Sequence, residues 1–271
     1  MNSSFLTTIV EKTRTRVAAA RADKPLDIVR REAVNALADR EKHRLRKALE
    51  RDGLNIIAEF KRASPSKGVI NADRDLAATV RAYESARAAA VSVLTEPEYF
   101  RGSLDDLRAA RAAVDLPLLR KDFVVDAYQI YEAAAAGADA VLLIVAALSD
   151  GELSSLLQAA EGELGIDALV EVHTASELDR AAAAGAKLIG VNNRDLKTLA
   201  VSLDVSRNLI RHKPGGALMI AESGISTAGD IAELRSLGFD GFLVGETLMR
   251  SGDPAEVINE WRSVSVGSAG G

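Results

Sequence analysis

A chain of 271 residues is long enough for one large domain or two small ones. With 48% hydrophobic and 27% charged residues its composition is that of a globular protein, and a net charge of −5 with both signs interspersed offers no basic footprint for nucleic acid. The absence of cysteine excludes disulfides and thiolate chemistry, the 3 histidines lack metal-ligand spacing, and no apolar run approaches the roughly 20 residues that span a bilayer. The first residues, Met1 through Arg16, lack a charged start followed by an apolar core, so no signal peptide is expected and a cytoplasmic enzyme is the default.

From about Asn2 to Arg51 the chain is Ala-rich with Leu, Ile and Val at helical spacing, broken at Asp23-Lys24-Pro25. The pattern then changes to short apolar strands alternating with helices. Strands are expected at about Asn55–Lys61, Ala90–Leu94, Leu118–Lys121, Ala140–Ile144, Ala168–Val172, Leu188–Asn192, Leu218–Glu222 and Gly241–Val244. Helices are expected near Asp73–Ala86, Leu104–Ala113, Asp126–Ala136, Asp150–Glu163, Ala175–Ala184, Leu203–Arg211, Thr227–Leu237 and Ala255–Ser263. Such alternation implies a parallel sheet, and eight units in about 215 residues fit a closed (β/α)8 barrel of the TIM type better than an open doubly wound sheet. Gly137, Gly185 and Gly238 each follow a helix, where a positive φ is needed. The expected layout is one barrel domain, with an N-terminal helical extension over 1–51, the barrel over 52–263 and a flexible tail over 264–271.

In such a barrel the chemistry lies at the carboxyl ends of the strands. Alternation puts Ile57, Glu59 and Lys61 of the first strand on one face and Ile56, Ala58 and Phe60 on the other. The first face turns from apolar to charged where the strand ends. The third strand aligns Leu119 with Lys121, the fifth Leu169 with Glu171 and His173, the sixth Gly190 with Asn192 and Arg194, and the seventh Ile220 with Glu222. One rim salt bridge is ordinary, whereas five strand ends aiming ionisable or amide groups at one mouth indicate a site. Glu59, Glu171 and Glu222 balance Lys61, Lys121 and Arg194, a crowded set able to supply a proton donor and a proton acceptor. Which glutamate is protonated is not written in the residue order.

Ser223-Gly224 after the seventh strand and Gly245 after the eighth stand where barrels often bind phosphate through backbone N–H groups. Helix capping is the plainer explanation for Ser226 and Thr227 in the same loop. Glu246, directly after Gly245, suits an anion site only with its side chain turned away. The first loop, Ser64-Pro65-Ser66-Lys67-Gly68, reads as a lid, a substrate clamp or a plain polar loop. Phe123, Tyr99 and Phe100 are candidates for an aromatic wall.

Together these residues resemble one family. Ile57-Ala58-Glu59-Phe60-Lys61-Arg62-Ala63-Ser64-Pro65-Ser66, Leu94-Thr95-Glu96 with Phe100, Gly102 and Ser103, and Leu119-Arg120-Lys121-Asp122-Phe123 are similar to motifs of the indole-3-glycerol phosphate synthases. So are Leu169-Val170-Glu171-Val172-His173, Ile189 through Leu196, and Ala221-Glu222-Ser223-Gly224-Ile225. The resemblance spans nearly all strand ends from Ile56 to Arg250, and the N-terminal extension fits it. One departure is Glu246, where some members have Ser.

The resemblance implies ring closure of 1-(2-carboxyphenylamino)-1-deoxyribulose 5-phosphate, with loss of CO2 and then water, in tryptophan biosynthesis. It implies no cofactor and no metal. It also implies a small phosphorylated substrate as the partner, no nucleic acid or membrane, and a monomer or weak homodimer. Lys121 would be the acid that protonates the ribulose carbonyl, and Glu171 the acid/base group of dehydration. Glu59 and Lys61 would orient the substrate and tune protonation, and Glu222 would steady the lysine. Asn192 and Arg194 would hold hydroxyl or carboxylate groups. Ser223, Gly224, Gly245 and the backbone of Glu246 would hold the phosphate, with Lys61 as a further contact; Ser64 and Phe123 would line the substrate. The competing readings are another phosphate-binding barrel enzyme, such as phosphoribosylanthranilate isomerase, and a barrel that only binds phosphoesters. The isomerase would need Cys or Asp early in the barrel, where this chain has Glu59 and Lys61.

Overall fold

The apolar runs form strands β1 (Ile56–Phe60), β2 (Ala90–Leu94), β3 (Leu118–Lys121), β4 (Ala140–Ile144), β5 (Asp167–Val172), β6 (Leu188–Asn192), β7 (Leu218–Glu222) and β8 (Gly241–Val244). Each pairs in parallel with the next, and β8 returns to β1 with Ile56 opposite Phe242, closing the barrel. The computed structural model describes residues 5–196 and 198–267.

Strand alternation sorts the core into two layers. Ile56, Ala58 and Phe60 join the apolar layer shared with the helices, while Ile57, Leu119, Leu142, Leu169, Leu188 and Ile220 fill the lumen. The lumen is therefore a packed plug. Its upper side carries the polar residues.

Helices α1 (Phe5–Asp23), α2 (Leu26–Leu37) and α3 (Arg44–Leu49) form the N-terminal extension. The expected break at Asp23-Lys24-Pro25 separates α1 from α2. A second break was not expected: His43 adopts a left-handed φ of 54° before α3. Leu45 and Leu49 of α3 stopper the amino-terminal end of the lumen. At the opposite end α1 lies against the mouth, tied by Arg16 to Asp122 at 3.2 Å and by Arg21 to Asp126 at 3.1 Å.

The barrel helices are α4 (Leu76–Ser85), α5 (Leu104–Ala113), α6 (Ala127–Ala135), α7 (Asp150–Leu157), α8 (Ala175–Ala183), α9 (Asp204–Leu209) and α10 (Ala228–Ser236), followed by α11 (Glu246–Arg250) and α12 (Pro254–Gly267). Side chains of Asp75, Ser103, Asp126, Ser149, Thr174 and Thr227 accept hydrogen bonds from the first turns of six of them, which sets where those helices begin. Gly137, Gly185 and Gly238 end helices with φ of 93°, 83° and 107°, a region where a side chain would be strained.

Further elements depart from expectation. Residues Gln158–Leu164 widen into a π-helix instead of continuing α7. The helix α11 was not foreseen. The helix α12 runs to Gly267 instead of ending near Ser263, and the remainder of the expected tail, 268–271, lies outside the described residues, as do residues 1–4.

Candidate active site

The strand ends converge on one cavity open to solvent. Its lining includes Glu59, Lys61, Lys121, Glu171, Asn192, Arg194 and Glu222 from five strands, with Ser64, Phe123, Ser223, Gly224, Gly245 and Glu246 from the loops. The expected acid, base and phosphate-holding residues thus border the same space, whereas His173 and Tyr99 stand behind its lining.

Lys121 is the hub. Its ammonium lies 3.1 Å from Glu171 Oε2 and 3.2 Å from Glu222 Oε2. Burial alone would strip the proton from Lys121, but Glu222, Glu171 and Glu59 outweigh it and hold the group charged well above the ordinary lysine range. The two glutamates respond oppositely. Burial raises both. For Glu171 the raising is overcome by Lys121, His173 and hydrogen bonds from Asn192 and Lys121, so it stays ionised below the usual carboxylate range. For Glu222 burial wins over Lys121, helped by repulsion from Glu171 and Glu59, and its pKa is pushed up to about 7. The cavity therefore holds a charged lysine, an ionised carboxylate and a carboxyl poised to hold or release a proton near neutrality. Glu59 is nearly buried and accepts from Lys61 Nζ at 2.6 Å.

Two glycines give these carboxylates their space. A Cβ on Gly190 of β6 would collide with Glu222 Oε1, and one on Gly245 would overlap Glu59 Oε1. Gly190 is held between β5 and β7, so the backbone has little freedom to yield. Gly190→Ala is expected to push Glu222 off Lys121, lowering turnover at least about tenfold and stability by about 1–3 kcal/mol, the usual range for overpacking. Steady-state product formation and a thermal melt check this; turnover within twofold of the parent would show that Glu222 finds another place.

At the other end of the cavity the chain turns sharply after β7. Ser223 and Gly224 take φ of 65° and 78°. A left-handed serine costs roughly 1–2 kcal/mol, so the turn is held by its surroundings. Ser226 and Thr227 are occupied in the capping box of α10 with Asp230, which accounts for them without a ligand. Gly245 precedes α11, whose Thr247 hydroxyl donates to Ile225 O at 3.0 Å and joins the two loops. First-turn N–H groups lack helical acceptors, and Gly245 and Glu246 at this helix start line the cavity. The Glu246 carboxylate, expected to turn away, accepts from Arg250 at 3.1 Å and lies 3.7 Å from Lys67 Nζ, so its charge is compensated at the rim.

The first loop is more ordered than a plain polar loop. Ala63–Ser64 pairs antiparallel with Gly68–Val69 in a small hairpin. Arg194 reaches across to it, donating to Ser66 Oγ at 3.0 Å and to Leu199 O at 3.2 Å. Asn192 Oδ1 accepts from Arg194 N at 3.0 Å, while its side chain also bonds Glu171.

The sequence profile of the family described as indole-3-glycerol phosphate synthase matches residues 6–261. The chain belongs to this family. An indole-3-glycerol phosphate synthase of Carboxydothermus hydrogenoformans is 46% identical over 259 residues, covering 94% of this chain and 98% of the relative. One of Mycolicibacterium vanbaalenii is 48% identical over 257 residues, covering 95% and 93%. Among solved structures, 3-hexulose-6-phosphate synthase from Salmonella typhimurium superposes with a TM-score of 0.63 at 15% identity, over 79% of this chain and 99% of that one; this likeness shows the fold alone.

In this member of the indole-3-glycerol phosphate synthase family, the apolar wall of the cavity joins the expected Phe100 and Phe123 to Phe5, Leu142 and Ile144, which sequence reasoning did not assign to the site, while Tyr99 stands behind the lining. Phe5 of α1 packs edge-on against Phe123, with centroids 6.5 Å apart, and against Tyr99 at 5.0 Å. Phe100 lies 6.3 Å from Phe123. Leu142 and Ile144 complete the wall from β4. Phe5 carries no local signal, because its role depends on α1 folding back over a strand end more than a hundred residues away. Leu142 and Ile144 belong to the lumen layer and carry no polar atom that would mark them in the residue order.

Proposed function

We propose that the chain closes the pyrrole ring of 1-(2-carboxyphenylamino)-1-deoxyribulose 5-phosphate, releasing CO2 and water to give indole-3-glycerol phosphate. Lys121 carries this reading: its ammonium sits between a carboxylate kept ionised and a carboxyl titrating near neutrality, with aromatic rings on one side and glycine turns on the other. The substrate's aromatic ring lies against Phe5, Phe100 and Phe123. Its phosphate lies against the backbone of Ser223, Gly224, Gly245 and Glu246, and its hydroxyls and carboxylate meet Asn192, Arg194, Lys61 and Ser64.

Held at both ends, the ring carbon meets the ribulose carbonyl beside Lys121. As the C–C bond forms, the carbonyl oxygen takes the lysine proton. CO2 then departs, and its bonding pair restores the aromatic ring. In the last step Glu171 manages the proton of the leaving hydroxyl. Glu59 and Glu222 set the charge around the lysine, and Glu59 holds Lys61 in place. The reaction runs in the cytoplasm, with the chain as a monomer or weak homodimer, since one barrel supplies every proposed group. Incubating the purified chain with the carboxyphenylamino substrate is expected to yield indole absorbance and CO2 in equal amounts. Binding without product would reduce the chain to a phosphoester-binding barrel.

A further inference from the structure

The overall chemistry requires a proton from outside. Starting from an ionised substrate carboxylate, the carbonyl oxygen takes one proton at ring closure. Loss of CO2 takes none. Loss of the hydroxyl as water takes a second, and formation of the ring double bond returns one from carbon. Two enter and one leaves, so each turnover draws one proton from solvent. Glu171 is nearly sealed from water, with a side-chain exposure of 2%. Something must carry that proton to it.

His173 stands where such a carrier is needed, one step past β5 on the same face as Glu171. The two oxygens of Glu171 are divided: Oε2 meets Lys121 at 3.1 Å, and Oε1 lies 3.5 Å from His173 Nε2. That Nε2 is shielded from water and makes no hydrogen bond among the described residues. The other ring nitrogen, Nδ1, is 3.4 Å from Glu177 Oε2, and Glu177 is fixed because the same oxygen accepts from His173 N at 2.7 Å. Glu177 in turn sits in the first turn of α8, whose cap is Thr174. Glu177 and His173 are partly open to solvent while Glu171 is not. The order Glu177, His173, Glu171 runs from the outside inward.

We propose that His173 is the positioning and proton-supplying partner of Glu171, passing a solvent proton from its Nε2 to Glu171 Oε1 for the dehydration step. The proposal rests on the ring-closure reading above. After Lys121 has given its proton to the carbonyl oxygen, the charge that held Glu171 ionised is gone, and burial then favours its protonated form. The imidazolium gives its proton to Oε1. Glu171 passes it to the departing hydroxyl, which leaves as water with the C–O bonding pair. The proton lost from carbon goes to the Lys121 amine, its C–H pair becoming the new double bond. The neutral ring keeps its Nδ1 proton, so it swings outward on its side chain, takes a solvent proton on the bare Nε2 and swings back, and all three groups return to their starting states.

The surrounding charges support this. Burial lowers the proton affinity of His173, but Glu177, Glu171 and, from β7, Glu222 raise it above the ordinary histidine value. The cation beside Glu171 is Lys121 of β3. Arg180, further along α8, is taken by Asp150 at 2.6 Å.

The test compares His173→Gln and Glu177→Gln with the parent chain. For His173→Gln, turnover to indole is expected to fall at least about tenfold, as for removal of one proton-transfer partner, with KM unchanged. First-turnover CO2 release should stay near the parent rate, because ring closure precedes the step His173 serves. Added imidazole should recover several-fold of the lost rate. Glu177→Gln keeps the histidine but removes its outer anion. Its activity should therefore fail at lower pH on the alkaline side, by about one unit, since the imidazole is then easier to deprotonate. Parent-like turnover in His173→Gln, or equal losses of CO2 and indole without imidazole rescue, would overturn the proposal and leave ring closure standing. So would an unshifted Glu177→Gln profile. A parent chain that forms no indole would overturn both.

Discussion

Lys121→Met is expected to lower kcat/KM for indole formation by about 10³-fold or more, within the range typical of a positioned proton donor. It is also expected to make the fold sensitive to alkali. Methionine keeps the stem and removes the charge, leaving Glu59, Glu171 and Glu222 facing one another in a buried pocket. Removing one partner of a buried ion pair typically costs about 3–5 kcal/mol when the other stays charged. These carboxyls escape part of that cost by binding protons. A carboxyl whose folded pKa is raised holds its proton in the folded state and has lost it in the unfolded one. Its stability is then full below about pH 4.3 and falls as pH rises through the folded value. In the parent Glu222 behaves this way, with its pKa pushed up to about 7, while Glu171 is held low by the lysine. In the variant Glu171, freed from the lysine, should be raised as well. Melting temperatures at pH 6 and pH 8 should diverge more for the variant than for the parent. Equal drops at both pH values would mean that the lysine neutralises nothing in the folded state.

The same cluster shows what residue order could and could not reveal. Alternation along β1, β3 and β5 was enough to put Glu59, Lys121 and Glu171 on the lumen side, because a strand's period leaves no choice of face. The family signature named the groups. Neither told which of Glu171 and Glu222 holds a proton. Both are glutamates at strand ends and both are buried. Their pKa values part because Asn192 and His173 reach Glu171, whereas Glu222 occupies the recess left by Gly190. That difference is one of distances, and distances come only with the closed barrel. Short elements were lost for a related reason. The hairpin at Ala63–Val69 and the five-residue α11 are too brief to carry a period, and tertiary contacts such as Thr247 to Ile225 hold them. His43 bends the chain between α2 and α3 without a glycine to mark the place; its N–H donates to Gly165 O at 2.9 Å.

Glu171→Gln should separate the steps of the reaction. The amide keeps the size of the side chain and can still bond Asn192, and Lys121 keeps Glu222 and Glu59 as counter-charges, so ring closure and decarboxylation should proceed near the parent rate. Glutamine can neither accept a proton from the histidine nor pass one to the leaving hydroxyl. Indole formation should fall by about 10²–10⁴-fold, with CO2 released in the first turnover while the hydroxylated ring remains bound. A single-turnover experiment following CO2 and indole absorbance together measures the gap. The variant should also respond differently to acid. In the parent, Glu171 has a depressed folded pKa and adds stability above the ordinary carboxylate value, which is lost as pH falls through the folded one. Glutamine does not titrate, so the variant should lose less stability than the parent between about pH 4.3 and the onset of acid unfolding. If CO2 and indole decline together, Glu171 acts before decarboxylation, and the division of labour with Lys121 must be redrawn with the carboxylate guiding ring closure itself.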